Sequence, residues 1–163
     1  MALFPDRLTA AAAAREVHEL GVTRADLSVV ACDHRTEGGI AEDVGGSPGS
    51  EIEDSRTAGH FGEVGGLILA AIAIGMPGTG AIVAAGPLAA ELGEAAGHAA
   101  GRLTETLVKS GLSEPDAAAW QSDIEGGAVL LGVHARTVRV DKVEAVFASH
   151  GAGRIIGTDW EDQ

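Results

Sequence analysis

Five residues of this chain have side chains and spacing that could hold a metal ion: His60, Glu63, Glu91, Glu94 and His98. They flank a run from Val64 to Ala90 that contains no charged residue. His60 and Glu63 are spaced i,i+3, and Glu94 and His98 are spaced i,i+4, so on helices each pair would share a face. Carboxylates and imidazoles projecting from facing helices are the ligands of carboxylate-bridged di-iron and di-manganese bundles. A chain reversal near Pro77 and Gly78 would bring Glu63 level with Glu91 and Glu94, and His60 level with Glu94 and His98. Iron or manganese would suit such a set, and the activity, if any, would be ferroxidase-like. The spacing departs from the Glu-x-x-His pair of those bundles.

A solvated helix face explains most of the same residues. At about 100° per residue, Glu91, Glu94, His98 and Glu105 fall on one side of a helix. Leu88, Leu92, Ala96, Ala99 and Leu103 fall on the other. Glu63 shares a helical face with Leu67, Ala70 and Ile74. There an acid is either buried with a partner or placed at a helix start, where the dipole favours it.

Other chemistry is sparse. Cys32 is the single cysteine, so no internal disulfide can form, and only His34 and Arg35 offer it basic neighbours. His18, His34, His134 and His150 read as surface, turn, strand and helix-end residues, and Trp120 and Trp160 as a core anchor and a tail contact. No Gly-x-Ser-x-Gly motif occurs, and "GMPGTGA" lacks the lysine of a phosphate loop. The acids of residues 36–59 lack calcium-loop spacing. No catalytic residue and no organic cofactor site is assigned.

Composition narrows the classes further. The chain has 163 residues, enough for one domain with a core. Hydrophobic residues make up 45% but aromatics only 3%, with 24 glycines. Such a core relies on close backbone approach and is thin for a monomer, which points to self-association. A formal charge of -13 argues against nucleic acid and against an anionic membrane surface. "MALFPDRLTA" is not a secretory leader, so a cytoplasmic location is expected.

The elements that must position these residues can be read in order. "MALF" suits a strand, and a helix follows from Pro5 and Asp6 to a stop at Gly21, with Leu8, Ala11, Ala12, Val17 and Leu20 as its apolar face. "ADLSVVACD" suits a second strand. Residues 1–35 thus form a first half, and residues 36–59 an acidic Gly/Ser-rich linker. Residues 60–110 are predicted to be an antiparallel helical hairpin, broken at "GMPGTG", with a return arm starting near Leu88 after Pro87. Each arm is too short for a bilayer, which needs about 20 apolar residues. Gly93, Gly97 and Gly101 recur every four residues, a glycine zipper that lets another helix approach closely. Residues 111–163 complete the chain. A helix capped by Ser113 ends at Gly126, then come strand "AVLLGVHAR", a helix with Val140, Val143, Val146 and Phe147 on one face, and strand "AGRIIGTDW". Without the insert the order is βαβ-βαβ. The predicted class is therefore α+β: a ferredoxin-like split βαβ sandwich, with helices on one face of an antiparallel sheet and a glycine-rich helical hairpin inserted.

The segments "FPDRLTAAAAAREVHELGVTRADLSVVACD", "GMPGTGAIVAAGPLAAELGEAAGHAAG", "SGLSEPDAAAWQSDIEGGAVLLGVHA" and "HGAGRI" resemble bacterial general stress proteins with a glycine-rich central hairpin. The resemblance covers nearly the whole chain. It implies a ferredoxin-like domain with an inserted hairpin and a stress-linked role, and it carries over no catalytic residue. His60, Glu63, Glu94 and His98 depart from the family's plainer Gly, Ala and Leu middle. The leading expectation is a non-enzymatic homo-oligomer, a dimer or higher, assembled through the hairpin. The rivals are a metal-binding bundle formed between chains, and a hydrophobic adaptor to a membrane or a partner enzyme.

Overall fold

The computed structural model describes residues 1–33, 63–64, 67–68, 71–76, 80–94, 102–134 and 140–158. Strand β1 (Ala2–Phe4) leads into helix α1 (Arg7–Glu19), a short 3-10 turn (Arg24–Asp26) and β2 (Leu27–Asp33). Then come β3 (Glu63–Val64), β4 (Leu67–Ile68), β5 (Ala71–Met76) and β6 (Gly80–Ala85). Helices α2 (Pro87–Glu94), α3 (Arg102–Lys109) and α4 (Glu114–Glu125) follow, and β7 (Val129–Val133), α5 (Val140–Ser149) and β8 (Arg154–Ile155) close the chain. The protein is mixed α+β. Its main sheet has six strands in the order β5-β6-β2-β7-β1-β8, and every neighbouring pair is antiparallel. Strands β3 and β4 pair separately, Glu63 opposite Ile68 and Val64 opposite Leu67.

Local chemistry sets the helix ends. The Asp6 carboxylate accepts from the backbone N–H of Leu8 at 2.8 Å and of Thr9 at 2.9 Å, which caps α1. The helix stops at Gly21, whose φ of +97 suits glycine. Ser113 caps α4 by accepting from Asp116 N–H at 3.3 Å, and Pro115 sits in the first turn. The buried stripe of α1 is Ala10, Ala13, Ala14 and Val17, not the face expected from its leucines. Leu8 is 82% exposed. Five consecutive alanines, Ala10 to Ala14, put an apolar residue on each side of the helix there, and the small side chains are the ones that let the helix close on the sheet. On α5, Val143, Val146 and Phe147 are buried as expected, while Val140 at the first position is 60% exposed.

Both faces of the sheet are covered, where helices on one face were expected. Phe4, Val29, Leu131 and Ala85 pack under α1 and α5, and Phe4 meets Phe147 edge-on at 5.5 Å. Their neighbours Leu3, Val30, Leu130 and Ala84 point the other way and pack with Ile82, Leu88, Leu92, Leu107 and Trp120 under α2, α3 and α4. Successive strand residues alternate between faces, so a sheet covered twice needs unbroken apolar runs such as Val129–Leu130–Leu131. The thin core inferred from composition is thus two thin layers, both supplied by one chain.

The predicted helical hairpin is also corrected. Residues 71–76 and 80–85 are two strands, with Ile74 opposite Ile82, Ile72 opposite Ala84 and Met76 opposite Gly80. The β-branched residues explain this: Ile72, Ile74, Ile82 and Val83 suit a pleated surface better than a helix. Among the described residues of the predicted hairpin, helix starts at Pro87, close to the predicted start at Leu88, and Gly97 and Gly101 of the glycine zipper lie outside the described residues. The joint between β6 and α2 is tight. Gly86 has φ +83, and a Cβ there would lie 2.0 Å from the Leu27 carbonyl oxygen. The buried Ser28 hydroxyl accepts from Leu88 N–H at 3.1 Å, fastening the start of α2 to β2.

Candidate functional site

The five candidate ligands are placed on different kinds of element. Glu91 and Glu94 lie on α2, the helix whose Leu88 and Leu92 pack on the sheet. Glu63 lies on β3, which rests against α1, whereas α2 belongs to the opposite layer. The helical face argued for Glu63 requires a helix through residue 63, where the structure has a strand. His60 and His98 lie outside the described residues, as does the linker of residues 36–59. Among the described residues no three His, Cys, Asp or Glu side chains converge as a metal site.

The remaining chemistry-bearing groups serve the framework. Cys32 is buried on β2 opposite Ile82, and His34 and Arg35 lie outside the described residues. His18 Nδ1 lies 2.8 Å from the Val22 carbonyl, tying the end of α1 to the chain beyond Gly21. His150 Nε2 lies 2.7 Å from a Glu16 carboxylate oxygen and links the end of α5 to α1. His134 follows β7, and its backbone N–H donates to the Asp26 carbonyl at 2.7 Å. Trp120 is fully buried in the layer of α2, α3 and α4, as expected of a core anchor, and its indole N–H has no acceptor among the described residues. Trp160 lies outside the described residues.

Two ionisable groups are displaced from their ordinary behaviour. The Met1 ammonium donates to the Ile156 carbonyl at 2.7 Å, and the Ile156 N–H donates back to the Met1 carbonyl at 2.8 Å. Burial pushes that amine's pKa down, and the carboxylate of Glu144 opposes the shift. The Asp6 carboxyl is held below its usual range, chiefly by the Thr9 backbone N–H and secondarily by that of Leu8. Both shifts couple folding to pH.

The feature that sequence reasoning missed is the edge of the main sheet. Strand β8 ends one side with two residues, and its Arg154 is exposed and 3.9 Å from Asp123. Strand β5 ends the other side with six residues, Ala-Ile-Ala-Ile-Gly-Met, none charged and none proline. Among the described residues β5 is paired with one strand only, β6. Short length and charge are the usual protections of an edge. β8 has both, and β5 has neither. The alternation of alanine with isoleucine before "PGTG" was the signal for it.

Compared with known proteins, the chain matches no family model, no curated protein and no solved structure. Among the described residues no helix is long and apolar enough to cross a membrane.

Proposed function

We propose that this chain is a non-enzymatic, self-assembling protein of the general-stress kind, in which a ferredoxin-like domain carries an inserted assembly element. Support for the domain comes from strand order. With β5 and β6 set aside, β2-β7-β1-β8 remain, with α1 joining β1 to β2 and α5 joining β7 to β8. Two strand–helix–strand units interleaved in one antiparallel sheet are the plan of a split βαβ sandwich. The insert then contributes a β-hairpin that widens the sheet and helices that cover its second face.

One observation carries the assembly role. The uncharged run from Val64 to Ala90 does not end inside the core; among the described residues its strand β5 forms a six-residue edge of the sheet with neither charge nor proline. In a chain of formal charge -13, that neutral border is where a like-charged copy meets least repulsion. Native mass spectrometry of the full chain over a concentration series tests the reading. A dimer or larger species that grows with concentration is expected, and a monomer at every concentration would overturn it.

A further inference from the structure

Resting on that reading, we infer that the contact is strand addition: β5 pairs antiparallel with β5 of a second copy across a two-fold axis. The two six-stranded sheets then continue as one. An edge strand presents alternate N–H and C=O groups on its open side, and pairing them with another strand satisfies them at once. Every neighbouring pair within the sheet is already antiparallel, so a two-fold axis beside β5 extends the same alternation. A two-fold contact uses the same patch on both partners, which makes a self-matching strand sufficient.

The choice of a second copy over another peptide rests on charge and register. From Val64 to Ala90 the chain offers no charged residue, so a basic or acidic peptide finds no counter-ion along this seam. A second β5 is equally neutral. Centred on Ala73, the antiparallel match sets Ala73 opposite Ala73, Ile72 opposite Ile74, and Ala71 opposite Gly75. Isoleucine thus meets isoleucine, a favourable cross-strand pair. Within each protomer Ile72 pairs with Ala84 and Ile74 with Ile82 in the strand register, and both of those β6 residues belong to the layer of α2. A seam this short belongs to the small class of interfaces, below about 1,200 Å², so the dimer should dissociate on dilution.

The test uses the full chain with Cys32→Ala as background, and its reference is that background's own mass over a concentration series. Ala73→Cys places two thiols opposite one another at a separation a disulfide can span. Mild oxidation with oxidised glutathione is expected to trap a covalent dimer. Ala73→Lys sets two like charges directly opposite and is expected to give monomer at about 50 μM, with circular dichroism unchanged. Failure to cross-link at position 73, with the mass insensitive to Ala73→Lys but lost on Gly97→Leu, would place the contact in the segment of Gly93, Gly97 and Gly101 instead. That outcome overturns strand addition and leaves self-assembly standing. A background protein that is monomeric at every concentration overturns both.

Discussion

Replacing Gly86 with alanine should be among the most damaging small changes in the chain. The added Cβ would lie 2.0 Å from the Leu27 carbonyl oxygen, 2.8 Å from the Leu27 carbonyl carbon and 2.9 Å from Ser28 Cα. All three are backbone atoms of a central strand, so no flexible side chain can swing away. Alanine at φ +83 adds a left-handed backbone cost of roughly 1–2 kcal/mol. To relieve the contact, the start of α2 must lift from β2, which strains the Ser28–Leu88 hydrogen bond, worth about 1 kcal/mol. It also loosens the buried Leu88 and Leu92. Together these predict a loss of about 3–5 kcal/mol, in the range of severe single mutations. At the scale of a chain of this size that is roughly a 10 °C fall in Tm. Gly21→Ala is the control: its φ is +97, yet among the described residues nothing lies within 4 Å of the added Cβ, so only the conformational cost applies. Urea unfolding of both variants measures the difference. Equal destabilisation would refute the steric argument for the β6–α2 joint.

Other outcomes follow from the same framework. Trp120→Phe should cost clearly less than Trp120→Ala, for which roughly 3–5 kcal/mol is expected, because phenylalanine keeps most of the buried volume and removes an indole N–H without an acceptor among the described residues; chemical denaturation checks the order. The two displaced groups set the pH dependence. Because the folded-state pKa of the Met1 amine is lowered, the unfolded chain binds more protons between that value and about pH 8, so stability should rise with pH across that window and level off above it. Asp6 acts at the acid end: its contribution is present above the ordinary carboxylate pKa and is lost as pH falls through the lowered folded value, a loss that Asp6→Asn should abolish in acid titrations followed by circular dichroism. Protein purified without chelator should carry iron or manganese well below one equivalent per chain by elemental analysis; a full equivalent, lost on Glu63→Ala, would favour the metal-binding rival.

The ends of the chain were readable because their signals are local. Asp6, Gly21, Ser113 and Gly126 mark helix boundaries through capping chemistry that depends on a few neighbouring atoms. The middle was misread because a run without a polar residue every few positions shows no solvent face, and alanine's helix propensity outweighed the isoleucine alternation at Ile72 and Ile74. The same blindness hid the stripe of α1, where Ala10, Ala13 and Ala14 differ chemically in nothing from Ala11 and Ala12. The second covered face was written in Val129–Leu130–Leu131, a run with no polar alternation, but an apolar run alone does not say which helices will lie on it. Of the candidate ligands, spacing placed Glu91 and Glu94 on one helix correctly. It did not foresee Glu63 on a strand in the other layer, since that depends on long-range pairing.

Amide hydrogen exchange at two protein concentrations reaches the central claim most directly. If β5 is where copies meet, those amides of residues 71–76 that face away from β6 should be protected at high concentration and lose that protection on dilution. Those of β8 should stay the same at both. Exchange of β5 that does not depend on concentration would contradict the account.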